Sequence, residues 1–485
     1  MALPGLSSLP GLSQTSSTPQ QPTQPSFAPP RTEELPARNE LRFEVATGKP
    51  YRIRLINGTA EIFGTELGQN IQYTFSGTKA AVFTWHGCTL ELQGDAESEY
   101  VGSETDAMVE WLNLHGMLET LRDGASTSKD EGPRVLVVGP DSNGKSSLVK
   151  CLTSWAVRMG QTPTVINLDP REATLSIPSA LTATTYNTTL DVEDNGWGSS
   201  SVSGPTSTPT KTPLVYHYPF ASPETNPPFY KALITRLALA VSSKTSEDDA
   251  FIRSSGLLVD TPGSSLDDPK SGYDVLAHIV AELSINVIVV MGSERQFNQL
   301  KSKFTPSASS NATDEPITVL RLAPSPGAVA RDARFMIARR NAQIRSYFFG
   351  DSKTSLSPHS QVWDFGDLAI YRAVDPTVAQ SSAIDFAPGA DDDDDDDYDP
   401  AAEEKQLVRV TPTLALTHSI LAIKFAPGSA SPDAIRDACV MGFVYVADVD
   451  EAKKKVRFLT PHPNRWGDKA LVWGPWPEPV GDLVG

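Results

Sequence analysis

The residues with the clearest chemistry in this chain are Gly139-Pro140-Asp141-Ser142-Asn143-Gly144-Lys145-Ser146. Their types and spacing match G-x-x-x-x-G-K-[ST], a phosphate-binding loop. Gly139 and Gly144 allow a tight turn in which successive backbone N–H groups point inward at an anion. The N-terminus of a following helix adds partial positive charge. Lys145 can reach β- and γ-phosphates, and the Ser146 hydroxyl can ligate Mg²⁺. The context required by the motif is present. Val135-Leu136-Val137-Val138 is a continuous apolar run that reads as a buried parallel strand. After the loop, Leu148, Leu152 and Trp155 fall on one face at helical spacing. A nucleoside triphosphate is the expected ligand.

Phosphoryl chemistry on such a loop also needs a carboxylate at the end of a neighbouring strand. Asp169 follows Val165-Ile166-Asn167-Leu168, and Asp260 follows Gly256-Leu257-Leu258-Val259, so both qualify. Asp260-Thr261-Pro262-Gly263 looks like the D-x-x-G switch of GTPases, but no N-K-x-D guanine-reading motif occurs in the chain. Adenine is therefore preferred. Arg331, Arg334, Arg339, Arg340 and Arg345 cluster in one stretch. The stretch reads either as a lid whose arginines meet transition-state charge or as a solvated amphipathic helix.

The elements that must position these groups fall into three blocks. Residues 1–36, rich in Pro, Ser, Thr and Gln, are expected to be disordered. Residues 37–124 alternate apolar and polar in short runs, such as Tyr51-Arg52-Ile53-Arg54-Leu55, and predict a small β-sandwich. A helix is expected over Met108 to Leu121, with a polar linker over Gly124 to Gly132. Residues 132–350 alternate strand and helix around the loop, which predicts a parallel α/β sheet. Two insertions, Glu193 to Thr212 and Thr305 to Glu315, read as flexible. Residues 360–485 form a small β-rich domain, interrupted near 385–405 by a solvated acidic loop that holds the run Asp391 to Asp397.

Composition narrows the function classes. The 485-residue chain has formal charge −18, so a broad non-specific nucleic-acid surface is not expected. Cys88, Cys151 and Cys439 are far apart and predict neither disulfides nor a metal cluster, hence a reducing compartment. No secretory signal is recognisable, and no apolar run approaches the ~20 residues of a membrane span.

Several motifs stand in the order of a known family. They are Ala60-Glu61-Ile62-Phe63-Gly64-Thr65-Glu66-Leu67, Phe83-Thr84-Trp85-His86-Gly87-Cys88, Gly132-Pro133-Arg134-Val135, Pro213-Leu214-Val215-Tyr216-His217 and Ile344-Arg345-Ser346-Tyr347-Phe348-Phe349-Gly350. Together they closely resemble the polyribonucleotide 5′-hydroxyl-kinase-like subunit of the eukaryotic mRNA cleavage and polyadenylation factor, in fungi a cleavage factor IA subunit. The resemblance implies three domains, ATP with Mg²⁺, a nuclear location and a role in mRNA 3′-end processing. It implies nucleoside contacts from Glu40 and Lys79. It places Ser142, Asn143, Gly144, Lys145, Ser146 and Ser147 on the phosphates, and Ser146 and Asp169 at the metal and attacking-hydroxyl site. The implied partner is the large subunit of cleavage factor IA that also recognises the RNA polymerase II tail, together with other subunits of the machinery.

The chain departs from the kinase-active members of that family. Those carry a Trp that clasps the RNA end; here Gly263-Ser264-Ser265 stands in its place. They also carry two lid arginines about five residues apart. Arg331 matches the first, the second position falls near Met336, and Arg334 is the nearest substitute. Loss of positioning and of one charge weakens in-line transfer. The expectation is an ATP-bound, non-catalytic assembly subunit. The alternative is an active RNA 5′-hydroxyl kinase that uses Lys145, Asp169 and Arg331.

Overall fold

The computed structural model describes residues 29–103, 106–173, 175–193, 213–247, 250–263, 266, 268–305, 316–350, 354–375, 406–463, 466–481 and 483. The expected disorder over 1–28, nearly all of both insertions, and the acidic run lie outside the described residues.

The first domain contains β1 (Arg31–Leu35), β2 (Asn39–Glu44), β3 (Tyr51–Gly58), β4 (Glu61–Ile62), β5 (Thr65–Glu66), β6 (Gln72–Phe75), β7 (Lys79–Thr84), β8 (Cys88–Gln93) and β9 (Ser98–Gly102). They form two sheets, β1-β8-β3-β6 and β5-β4-β7-β2-β9. Alternation along β3 and β8 buries Tyr51, Ile53, Leu55, Leu90 and Leu92 between them. The sandwich begins earlier than expected. Arg31 to Leu35 pairs antiparallel with β8, and the buried Leu35 side chain closes the core. The helix α1 (Asp106–Ser128) is also longer than expected and runs through much of the supposed linker. Gly116 and Gly124 both face open space there, so the cost of glycine in the helix is only its intrinsic one.

The central domain runs β10 (Arg134–Val138), α2 (Lys145–Arg158), β11 (Thr164–Asn167), β12 (Ala180–Thr185), β13 (Leu214–His217), α3 (Pro227–Glu247), α4 (Ala250–Ser255), β14 (Leu257–Asp260), α5 (Ser271–Glu282), β15 (Val287–Val290), α6 (Glu294–Phe304), β16 (Thr318–Arg321) and α7 (Ala333–Phe349). The strand order is β13-β12-β11-β14-β10-β15-β16. The β11 to β16 portion is parallel, but β12 and β13 are antiparallel to their neighbours, so the sheet is mixed. β10 lies between β14 and β15 and is fully buried, as its unbroken apolar run requires. The C-terminal ends of β10, β11 and β14 converge on one edge, and this edge carries the loop and both aspartates.

The third domain is one sheet, formed by β17 (His359–Asp364), β18 (Ala369–Ala373), β19 (Leu407–Val410), β20 (Ile420–Pro427), β21 (Val440–Asp450), β22 (Lys455–Thr460) and β23 (Lys469–Trp473). Its order is β17-β22-β21-β20-β23-β18-β19, with a short helix α8 (Pro432–Asp437) packed beside it. None of the described helices is long and apolar enough to cross a membrane.

Candidate nucleotide site

Between β10 and α2 the loop takes the shape its glycines permit. Gly139 has φ 149°, Gly144 has φ 88°, and Ser142 is left-handed too at φ 60°. A Cβ on Gly139 would lie 2.5 Å from the Met291 carbonyl oxygen, so the loop is tucked against the end of β15. Asn143 fixes it there: its Nδ2 donates to the Met291 carbonyl at 2.7 Å. The Asn143 side chain therefore anchors the loop, and any contact with phosphate is left to its backbone N–H. Lys145 curls over the loop and donates from Nζ to the Pro140 carbonyl at 2.8 Å.

A cavity of about 250 Å³ opens above this loop. Ser142, Gly144, Lys145, Ser146, Ser147, Asp169 and Asp260 line it from the central domain. Glu40 and Arg42 on β2 and Lys79 on β7 line it from the sandwich. Burial pushes the Glu40 carboxyl up, against the opposing pull of the Arg42 guanidinium with which it pairs. Lys79 bonds Glu44 at 2.7 Å, and its ammonium lies 5.2 Å from the ring centroid of Phe335 on α7. The approach to α7 closes over the same wall. A Cβ on Gly327 would lie 2.8 Å from Arg42 Nε and 3.0 Å from Glu40 Oε1.

Two aspartates meet under the loop. Asp260 is buried, with the Ser146 hydroxyl and the Lys145 ammonium acting on its carboxyl, and its Oδ1 has no hydrogen-bond partner among the described residues. Burial raises its carboxyl to about 6, although Ser146 and Lys145 pull the other way. Burial also raises Asp169, opposed by Arg171, whose backbone N–H donates to Asp169 Oδ1 at 2.8 Å. A buried carboxylate oxygen without a donor, next to a hydroxyl and a second carboxylate, fits a small hard cation completed by phosphate oxygens. Among the described residues no group of three His, Cys, Asp or Glu side chains could hold a metal without such oxygens. Asp260 thus joins the sequence-predicted pair Ser146 and Asp169.

The arginine cluster separates in space. Arg331 pairs with Glu172 through both guanidinium nitrogens, one of them at 2.8 Å. Arg339 also lines the cavity and lies 3.6 Å from Glu172. Arg334 is exposed and is not among the cavity-lining residues, so it is not the second lid charge. Arg339 is the second arginine of the stretch at the cavity. It stands one helical turn after Phe335, on the same face of α7. Arg340 turns to the third domain, 4.7 Å from the Trp476 ring centroid and 2.9 Å from Glu478. Arg345 stacks on Phe349. One face of the stretch lines the cavity and another meets the third domain.

Sequence reasoning missed Glu172 and Trp111. The Trp111 ring lines the cavity from α1, and its Nε1 is buried with no hydrogen-bond partner among the described residues. No local pattern distinguishes it from an ordinary core tryptophan. Gly263 is described, and a Cβ there would collide with the Asp141 carboxylate. Ser264 and Ser265 lie outside the described residues.

Comparison with known proteins accounts for nearly the whole chain. Residues 34–125 match the model of the N-terminal beta-sandwich domain of polyadenylation factor. Residues 139–350 match the mRNA cleavage and polyadenylation factor CLP1 P-loop, and residues 356–478 match the pre-mRNA cleavage complex II protein Clp1. A protein named mRNA cleavage and polyadenylation factor clp1 from Botryotinia fuckeliana is 46% identical over 478 residues, 99% of this chain and 100% of its own. Its counterpart in Phaeosphaeria nodorum is 45% identical over 493 residues, with 100% of each chain covered. Among solved structures, a wild-type Clp1p–Pcf11p complex superposes with TM-score 0.78 at 28% identity, covering 92% of this chain and 98% of that one. A second, with the same score and identity, concerns an extended Pcf11p–Clp1p interface and the structural basis for ATP loss in a point mutant. With three consecutive domain matches and full-length relatives at this identity, the chain belongs to the CLP1 family of mRNA cleavage and polyadenylation factors.

Proposed function

We propose that this chain is an ATP-binding, non-catalytic assembly subunit of the nuclear pre-mRNA 3′-end cleavage and polyadenylation machinery. One observation carries the reading. The cavity is walled by two domains at once, with the phosphate loop on one side and Glu40, Arg42 and Lys79 of the sandwich on the other. A nucleotide there bridges the domains and stabilises them by mass action. Lys145 and the loop N–H groups, with Ser142, Gly144 and Ser147, hold the phosphates. Glu40 and Lys79 face the nucleoside. Ser146, Asp169 and Asp260 would hold Mg²⁺, whose chemistry is to neutralise charge across the β- and γ-phosphates. The missing clasp tryptophan supports the absence of phosphoryl transfer. The two solved relatives are complexes of Clp1p with Pcf11p, and we assign this chain an equivalent large partner subunit.

The second reading is an active RNA 5′-hydroxyl kinase. Arg339 favours it, because the cavity holds two lid arginines where the sequence suggested one. In that reading Asp169 takes the proton of the RNA 5′-hydroxyl, and Lys145 and Arg331 stabilise the transferring phosphoryl group. Incubating the purified protein with 5′-hydroxyl RNA and γ-labelled ATP separates the two. The assembly reading expects no labelled RNA; label that disappears in Lys145→Ala sinks it.

A further inference from the structure

The segment that follows β11 is tied down at several points. Arg171 reaches the phosphate loop, with a guanidinium nitrogen 3.0 Å from Asp141 Oδ1. The Ala173 carbonyl accepts from Gln343 Nε2 of α7 at 3.2 Å. The Pro170 carbonyl accepts from Trp476 Nε1 at 3.0 Å. Glu172, in the middle, is therefore not a mobile surface charge. It lines the cavity, and its carboxylate engages both Arg331 and Arg339. Burial alone would push Glu172 up, but the two guanidiniums overcome it and hold its carboxyl below the usual range.

We propose that Glu172 is a lid latch: it pairs with Arg331 and Arg339 and makes the site insensitive to the γ-phosphate of its nucleotide. The proposal deepens the nucleotide reading above and rests on it. The argument is one of charge and geometry. Arg331, bonded through both terminal guanidinium nitrogens to the Glu172 carboxylate, has committed the fork it would offer a phosphate, and Arg339 is drawn to the same carboxylate. An ionised Glu172 beside the two arginines also leaves an anion where a γ-phosphate would bring more negative charge, and like charges in a partly buried site repel. The lid is then closed by a protein carboxylate, so loss of the γ-phosphate does not release it. A site built this way suits a resident structural nucleotide rather than a turning-over substrate.

The test is the release of labelled ATP and of labelled ADP from the full-length protein, each chased with unlabelled nucleotide. In the wild type the two release rates should lie within a fewfold of each other. Glu172→Gln removes the charge, frees both guanidiniums for the γ-phosphate, and should slow ATP release relative to ADP about tenfold or more. Adding Arg331→Ala to that variant should return the ratio most of the way. Glu172→Asp keeps the charge but is too short to span both arginines, and should shift the ratio in the same direction by less. An unchanged ratio in Glu172→Gln, with ATP still retained, overturns the latch and leaves the nucleotide reading standing. An equal acceleration of both nucleotides also overturns it, because that is the signature of a merely structural contact. If no labelled nucleotide is retained by the wild type, both readings fall together.

Discussion

The joint between the central and third domains is built on shared apolar clusters with polar pairs such as Arg236–Asp437 and Arg340–Glu478 beside them, whereas the joint between the sandwich and the central domain carries more of its contact in charged groups. On the first, Tyr347 and Phe348 of α7 pack with Phe443 and Tyr445 of β21, and the Phe443 N–H donates to the Tyr347 hydroxyl at 2.9 Å. Tyr218, Phe229 and Leu233 share one continuous core with Tyr371, Ile435 and Val472. On the second, the sandwich keeps a core of its own, and Phe83 is the fully buried sandwich side chain that joins the α1–α2 cluster of the central domain. Phe63 and Trp85 pack on that cluster partly buried, and polar contacts surround them. Glu61 accepts from Trp155 Nε1 at 3.3 Å, Arg158 pairs with Glu66, and Glu40, Arg42 and Lys79 face the cavity. The difference teaches which joint needs a ligand. Apolar burial stabilises without help, while buried charges require counter-charges that a nucleotide and its cation can supply.

The largest expected effect lies on the apolar joint. Phe443→Ala removes an aromatic side chain from the joint and should cost about 3–5 kcal/mol. In thermal or denaturant unfolding this loss should be the same with and without ATP. A loss that ATP repairs would break the comparison.

On the charged joint, Lys145→Ala removes the ammonium that lies over the phosphate loop. Equilibrium binding should weaken by about 100-fold, close to 3 kcal/mol, and the ATP-dependent rise in unfolding temperature should vanish. Wild-type-like nucleotide content in the purified variant would contradict the site assignment.

Lys424 tests the apolar joint from inside the third domain. It is buried and donates from Nζ to the Arg436 carbonyl at 3.1 Å. Burial lowers its ammonium from 10.5 to about 7, with Cys439 and Asp437 pulling up and Arg436 pulling down. The buried His217 imidazole is in turn held far below its usual range, by burial first and by Lys424 second. Between about pH 7 and pH 10.5 the unfolded chain binds more protons at Lys424 than the folded one, so stability should rise with pH across that window. Lys424→Met should remove this rise and stabilise the protein by about 1–2 kcal/mol at pH 7. An unchanged pH slope in the variant would show that Lys424 is not the titrating group.

Smaller still is Gly327→Ala. The added methyl must displace Arg42 or Glu40 side-chain atoms, and nucleotide release should quicken by about tenfold, near 1.4 kcal/mol. Arg236→Ala should do least. Arg236 is half exposed and pairs with Asp437 at 2.8 Å, so its loss should cost under about 1 kcal/mol in any unfolding measurement.

Much of this was legible in the sequence because it is local. The phosphate loop, the apolar run of β10 and the aspartates ending β11 and β14 are adjacent in sequence to the elements that position them. β12 was not anticipated, although its Thr182 and Thr184 suit a strand. Pro178 precedes it, but no glycine or proline follows it before Gly196, and pairing with β11 and β13 defines it. Glu172 meets Arg331 across 159 residues, a partnership that no local window contains. Arg339 was passed over because a fixed spacing was sought from Arg331. Arg331 lies before Asp332, the residue that caps α7, so the chain between it and the helix is extended and helical counting from it fails. β1 was masked by the proline-rich composition of the preceding tail, and its pairing with β8 is likewise non-local.

The most direct test of the account is amide hydrogen exchange on the nucleotide-depleted full-length protein, before and after adding ATP with Mg²⁺. The account predicts new protection in β2, β7, the phosphate loop and the Ser325 to Phe335 approach to the lid, with little change across β13, β20 and β21. Protection that rises equally at both joints, or at neither, would contradict the claim that the nucleotide holds the sandwich to the central domain.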